Sequence, residues 1–389
     1  MSVEVKKGMI HELTGLRGLA ALFILINHIL LVTPYFNQTF IKEYLQHFAI
    51  IGMSLFFILS GFVIDYNYAE KIKSDPKSGI LKFLVARFAR LYPLYFVFII
   101  GFFIFNLFDL PKDSSLYAAN IVSLPTFLVG MQTWVYGFIN GNALIFLQHN
   151  ANISWSISSE VALYLLFIPM VIFVFRSNKM KWILGLLAFA VIGRFIWCYF
   201  SFSDPTLSNF LISIFGDHSS YPPWLWLVYH SPYGRMFEFL AGCAISRYYL
   251  NAGGRWRSKP VFVAMLLLAL TGMIIVFMGK INMTIANHLF FPIFLIFIVF
   301  AVTQIGSKFL RSKPLLFVGD VSYSAYLFHI IFVRVFYFTG SGWDAIVLNI
   351  IAYIACTYLL AAFSYKYFET PARKYIREYF FGVIKKQAV

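Results

Sequence analysis

Charge is what this 389-residue chain has least of: Asp, Glu, Lys and Arg together make up 12% of it, with 16 acidic residues against 31 basic ones. A soluble globular domain carries about 25% charged residues, so that class is excluded. Cysteine is nearly absent too. Cys198, Cys243 and Cys356 share no paired spacing, so neither a disulfide framework nor a metal motif follows. Internal repeats and low-complexity tracts are missing, as is the inverted repeat found in many transporters. The first apolar run lacks a small-residue cleavage site and is expected to be an uncleaved helix. No hydrophilic stretch is long enough for an appended soluble domain, and residues 1–389 are expected to form a single transmembrane domain.

Hydrophobic residues are abundant, at 60% of the chain with 46 Phe, and they run continuously. A β-barrel would show short alternating segments, so the fold class expected is an all-α integral membrane protein. Ten spans are predicted: 16–33, 49–66, 91–108, 155–175, 182–200, 233–250, 260–279, 286–305, 315–338 and 345–368, each near the length a bilayer requires. With the N-terminus in the cytoplasm, 25 of the 31 Lys and Arg residues fall on the cytoplasmic side. That asymmetry follows the positive-inside rule and puts both termini in the cytoplasm. The net charge of +15 is therefore topological, and no nucleic-acid partner is implied.

Two segments resist a spanning assignment. Residues 109–154 hold a moderately apolar piece broken by Pro125, and residues 201–232 carry four prolines and no Lys or Arg. Both are expected as irregular, re-entrant or surface-lying pieces on the outer side, where non-helical backbone is tolerated if it lines a cavity. Trp134, Trp155, Trp224, Trp226 and Trp343 fall at predicted outer boundaries. An interfacial aromatic belt is the preferred reading over carbohydrate stacking.

Ionisable groups in hydrocarbon are costly and mark function by default. Arg17 and His28 lie 11 residues apart on the first helix, close to three turns, so both face one way at a separation of roughly 16 Å. Depth counting sorts the rest into an inner layer (Arg17, Arg87, Arg90) and an outer layer (His28, Glu160, Arg235, Glu238, His329), with Arg194 near mid-helix. A channel basic at its inner mouth would keep these groups off lipid. Blander readings stand beside each: Arg87 and Arg90 as snorkelling anchors, Arg235 and Glu238 as a self-satisfied i, i+3 pair, and His329 as a donor to a neighbouring carbonyl. Asp65 and Asp320 are expected to be solvated or capping.

Seven segments together resemble the acyltransferase-3 family, the ten-helix membrane acyltransferases that modify cell-surface glycans. They are LTGLRGLAALFILINH, GMSLFFILSGFVI, RFARLYPLY, WSISSEVALYLL, RMFEFLAG, VGDVSYSAYLFH and FETPARKY, in family order over nearly the whole chain. By that resemblance His28 is the essential helix-one histidine and Arg17 its partner. Arg87 and Arg90 form the R-x-x-R set directed to the phosphates of acyl-CoA. Glu160 is the Trp-Ser-x-x-x-Glu carboxylate, beginning at Trp155 and Ser156. Ser60, Arg235, Glu238, Tyr323, His329, Glu369 and Arg373 match supporting positions.

The resemblance implies a multi-pass O-acyltransferase of the bacterial inner membrane. Its co-substrate would be cytoplasmic acyl-CoA, acetyl-CoA by default, with no metal, and its acceptor a glycan hydroxyl on the outer side. Lack of a fused esterase-like domain favours O-antigen, capsule or exopolysaccharide over peptidoglycan. The scheme expected is acyl-CoA held by Arg17, Arg87 and Arg90, with His28 or Glu160 as general base, by direct transfer or through an acyl-His. The rival classes are a lipid-linked-sugar flippase or proton-coupled exporter, and another membrane acyltransferase family with an intramembrane His.

Overall fold

A computed structural model describes residues 8–33, 41–148, 151–175, 177–218, 221–252, 259–279, 282–336 and 342–387. Of the basic residues counted above, Lys6, Lys7, Arg176, Arg255, Arg257 and Lys280 lie outside them. Among the described residues the fold is helical apart from one hairpin of two-residue strands. Its main helices are α1 His11–Val32, α2 Ile41–Ser74, α3 Pro76–Asp109, α4 Ser115–Val129, α5 Trp155–Pro169, α6 Met180–Cys198, α7 Thr206–Phe215 and α8 Pro232–Asn251. They continue with α9 Lys259–Met278, α10 Phe291–Ile305, α11 Lys313–Asp320, α12 Ser322–Val335, α13 Trp343–Ser364 and α14 Thr370–Gln387.

Among the described residues eight helices are long and apolar enough to cross a membrane, and the pair α11 and α12, bent by 73°, makes a ninth. Helix α8 coincides with the remaining predicted span but carries Arg235, Glu238 and Arg247, all buried. Burial separates centre from rim. In the most apolar stretch of α2, 72% of residues are buried, against 17% in α9, whose Leu267, Leu268, Ile274 and Ile275 face outward. Bare apolar side chains on a helix whose backbone bonds are internal are what a lipid-facing surface requires.

Small residues set the closest approaches at the centre. A Cβ on Gly61 would sit 1.9 Å from the Phe239 carbonyl oxygen, and one on Gly242 would sit 2.0 Å from that of Ile58. Helices α2 and α8 therefore touch backbone to backbone, the contact small residues permit where lipid offers no hydrophobic drive for association. Gly319 makes the same contact with Thr14 of α1, docking the end of α11 where the chain bends into α12.

The predicted span 315–338 is thus two helices, broken at Val321. Pro125 does not break its segment: α4 runs through it to Gly130, whose φ of 71° turns the chain back inward. Beyond it lie the hairpin (β1 Phe138–Ile139 with β2 Asn142–Ala143) and a one-turn helix Asn152–Ser154. Asp65 is neither solvated nor capping: it is buried against Arg247, with Nη2 at 2.6 Å and Nε at 2.9 Å. Removing either partner would strand a buried charge. Asp320 is exposed at the end of α11.

Candidate active site

Two cavities are stacked along α1. The inner one, of about 710 Å³, is lined by Arg17 of α1, Ser60 of α2, Arg87 and Arg90 of α3, Ser156 and Glu160 of α5, and Ser322, Tyr323 and Tyr326 of α12. The outer one, of about 650 Å³, holds His28 of α1 with Phe146, Asn152, Trp155, Tyr229, His230 and Tyr326. Met53 and Tyr326 line both and form the partition. The 11-residue spacing of Arg17 and His28 thus puts one in each cavity, both turned to the bundle interior.

Three guanidinium groups and one carboxylate face the inner cavity, an excess of positive charge suited to an anion. Glu160 accepts from Ser60 Oγ at 2.8 Å and from the Tyr164 hydroxyl one turn along α5. Arg87 donates to the Tyr68 hydroxyl at 3.2 Å, and its guanidinium stacks over the Tyr68 ring at 5.1 Å. Tyr323 donates to the Leu91 carbonyl at 2.7 Å, tying α12 to α3. Tyr326 is fixed on both sides: it accepts from Ser156 at 2.8 Å and donates to the Ile153 carbonyl at 2.7 Å.

The outer cavity is aromatic, and no Lys, Arg, Asp or Glu of the described residues lines it. Nδ1 of His28 is 2.9 Å from the Ile24 carbonyl oxygen. A carbonyl only accepts, so Nδ1 carries a proton, and in the neutral ring the lone pair is on Nε2. His329 repeats the arrangement, with Nδ1 on the Tyr326 carbonyl at 2.5 Å and Nε2 buried without a partner among the described residues, its ring centroid 4.8 Å from that of His28. The Trp155 and Tyr229 rings pack at 4.9 Å. His230 accepts from or donates to Tyr221 at 2.8 Å, and burial beside Arg235 pushes its imidazole down to about 3, so it is neutral.

Glu160 lies with the arginines, not with His28. Rise counting placed it near the outer surface because it assumed that α5 starts there. Instead Ala151, Ile153, Ser154 and Trp155 are buried, so α5 begins inside the protein. The outer segments are knitted over that start: Gln132 donates to the Ser154 carbonyl at 3.2 Å, Thr133 bonds Ser158 at 2.8 Å, and Ser159 donates to the His230 carbonyl at 2.5 Å. Trp155 and Trp226 are interior residues, not members of a belt, while Trp343 is exposed.

Arg194, Arg235 and Glu238 line neither cavity. Glu238 takes two bonds from Arg235, at 2.9 and 3.0 Å, and one from Ser54 at 3.0 Å. Arg194 is spent on the carbonyls of His288, Val228 and Gly234. The Arg235 guanidinium also lies 4.4 Å from the Tyr229 ring and 5.7 Å from that of Trp155, so the cluster braces the outer cavity from behind. Glu369 is buried, 3.8 Å from Arg373, outside both cavities.

Tyr326, Tyr229, His230 and Tyr164 escaped the reading of the sequence. Tyr164 had a signal, the i, i+4 spacing from Glu160. The others did not, since aromatic residues at helix ends are ordinary in membrane proteins. Among the described residues no group of three or more His, Cys, Asp or Glu is placed to hold a metal ion.

A family model described as an acyltransferase domain matches residues 10–366. The chain is 27% identical over 381 residues to the O-acetyltransferase OatA of Staphylococcus aureus, covering 93% of this chain and 57% of that protein. It is 28% identical over 334 residues to the acyltransferase MdmB of Streptomyces mycarofaciens, covering 83% and 79%. It is 23% identical over 395 residues to the peptidoglycan O-acetyltransferase OatA of Listeria monocytogenes, covering 93% and 56%. The chain thus spans little more than half the length of the OatA relatives. No solved structure matches. With the family match running from the start of α1 into the turn after α13, this chain belongs to the acyltransferase-3 family.

Proposed function

We propose that the chain is a membrane O-acyltransferase that moves an acyl group, acetyl first, from acyl-CoA at the cytoplasmic face to a hydroxyl of a cell-surface polysaccharide or lipid-linked oligosaccharide outside, in the inner membrane of a bacterium. One observation carries this reading: a cationic cavity and a neutral aromatic one share α1 as a wall and meet at Met53 and Tyr326. A charged, phosphate-bearing donor suits the first, where guanidinium groups bind bidentately. An uncharged sugar ring suits the second, stacked on Trp155 or Tyr229. The relatives' names, O-acetyltransferase and peptidoglycan O-acetyltransferase, support transfer to a surface glycan.

Arg17, Arg87 and Arg90 hold the donor, and Glu160, fixed by Ser60 and Tyr164, keeps their guanidinium groups in place. The thioester passes the partition toward His28. Its Nε2 takes the proton from the acceptor hydroxyl as the oxygen attacks the thioester carbon. The C–O bond forms, the C–S bond breaks, and the leaving thiolate recovers the proton from the imidazolium. Arg235 and Glu238 act as positioning residues behind Tyr229 and Trp155.

The test is release of free CoA thiol from acetyl-CoA by purified protein in detergent, with and without a surface-glycan extract. Acceptor-dependent release is expected, lowered about 10²–10⁴-fold in His28→Ala, the usual worth of a general base. A folded His28→Ala protein with full activity would overturn the role of His28. Movement of a sugar lipid by wild-type protein inert toward every acyl-CoA would make it a flippase.

A further inference from the structure

The two cavities meet at a partition with one held edge and one movable edge. Among the described residues only Met53 of α2 and Tyr326 of α12 line both. Tyr326 is held at both ends. Its hydroxyl accepts from Ser156 and donates to the Ile153 carbonyl, and its own carbonyl meets Nδ1 of His329. Its ring also packs edge-on against that of Phe56, with centroids 6.2 Å apart. The backbone under Met53 is pinned on either side. A Cβ on Gly52 would lie 2.6 Å from the Ala20 carbonyl oxygen, so α2 rests on α1 there. One residue further, Ser54 donates to Glu238 of α8 at 3.0 Å.

What can move is the Met53 side chain, which is buried and unbranched. Three rotatable bonds let a methionine change shape at little cost. The passage is apolar on either side of it: Leu59 and Ile157 line the inner cavity, Ala49 and Ile330 the outer one. His28 lines only the outer cavity, so an acyl group has to cross the partition before it can be transferred there. The thiol end of the acyl-CoA arm and a straight acyl group are each one chain wide. An acyl group branched beside the thioester carbonyl is wider at the point that must pass.

We propose that Met53 is a gate that selects the acyl group by its width, passing acetyl and straight-chain groups and refusing those branched next to the carbonyl. Tyr326 is the fixed jamb and Met53 the part that yields. The assignment rests on the reading above, in which acyl-CoA enters the inner cavity and transfer occurs at His28. It leaves the donor phosphates with Arg17, Arg87 and Arg90, and concerns only the other end of the donor.

Butyryl-CoA and isobutyryl-CoA contain the same atoms and differ only in branching. Their kcat/KM values are compared by acceptor-dependent release of CoA thiol, with acetyl-CoA alongside, for wild type, M53A and M53L in detergent. Wild type should favour butyryl-CoA at least tenfold, since one extra methylene-sized group in a close-fitting apolar pocket is worth about 10–200-fold. M53L, of similar bulk, should keep that preference, and M53A should lose most of it. A merely structural defect lowers both rates alike and leaves their ratio in place. Should M53A be inactive toward both, M53V is read by the same ratio. Equal use of the two isomers by wild type overturns the gate, as does a wild-type ratio kept in M53A. A wild type that takes acetyl but neither isomer overturns it too, because selection would then be by length. Wild type inert toward every acyl-CoA sinks the donor reading and the gate with it, whereas a flat ratio in active protein sinks the gate alone.

Discussion

Arg87 is tied into the inner cavity at several points. It lines the inner cavity, donates to Tyr68 and lies under the Tyr164 ring that holds Glu160. A snorkelling anchor would need none of these. Hydrogen bonds to charged groups are worth about 1.5–3 kcal/mol, so Arg87→Ala should raise the KM for acetyl-CoA about 10- to 100-fold. Arg87→Lys should recover only part of that, because an ammonium lacks the planar fork. Steady-state kinetics against both substrates decides the matter. An effect confined to the acceptor would reassign Arg87 to the outer cavity. That Arg17, His28 and Glu160 face the bundle interior was legible because an ionisable group inside an apolar run stands out whatever the fold. Tyr326 and His230 were not, since their part in the site comes from contacts with Ser156, Ile153 and Tyr221, 9 to 173 residues away.

Helices were readable where apolar runs were long: eight of the ten predicted spans fall on helices long and apolar enough to cross a membrane, 315–338 falls on the bent pair α11 and α12, and 233–250 on the charged helix α8. What the runs did not carry was where each helix begins. Helix α5 starts inside the protein because Gln132, Thr133 and His230 satisfy its first-turn polar groups, a tertiary fact with no local pattern. That shift took Glu160 out of the layer of His28. The close contact of α2 with α8 also has a measurable consequence. At Gly61 an added Cβ meets backbone, which cannot rotate aside. Overpacking of this kind costs about 1–3 kcal/mol, so Gly61→Ala should lower the melting temperature in detergent by several degrees. Gly101→Ala on α3 has nothing within 4 Å of its Cβ and should melt as wild type does. Equal melting of the two variants would mean that α2 and α8 are not in backbone contact.

At the scale of the whole molecule, charge is sparse but sorted. Cations gathered in the inner cavity give way to an aromatic outer cavity, and among the described residues the two cavities share only Met53 and Tyr326. Composition disclosed the membrane class and the basic end of the bundle. The division into two cavities was not legible, because it depends on the 73° break between α11 and α12 that sets Tyr326 across the middle. The proposed function makes a vectorial demand on this arrangement: donor and acceptor would approach from opposite faces and meet at His28. Proteoliposomes holding radiolabelled acetyl-CoA on the inner-cavity side and glycan acceptor on the other test it most directly. The account predicts label in the glycan across the bilayer, lost in His28→Ala. Label that appears only when donor and acceptor share one side, or that persists without His28, would contradict it.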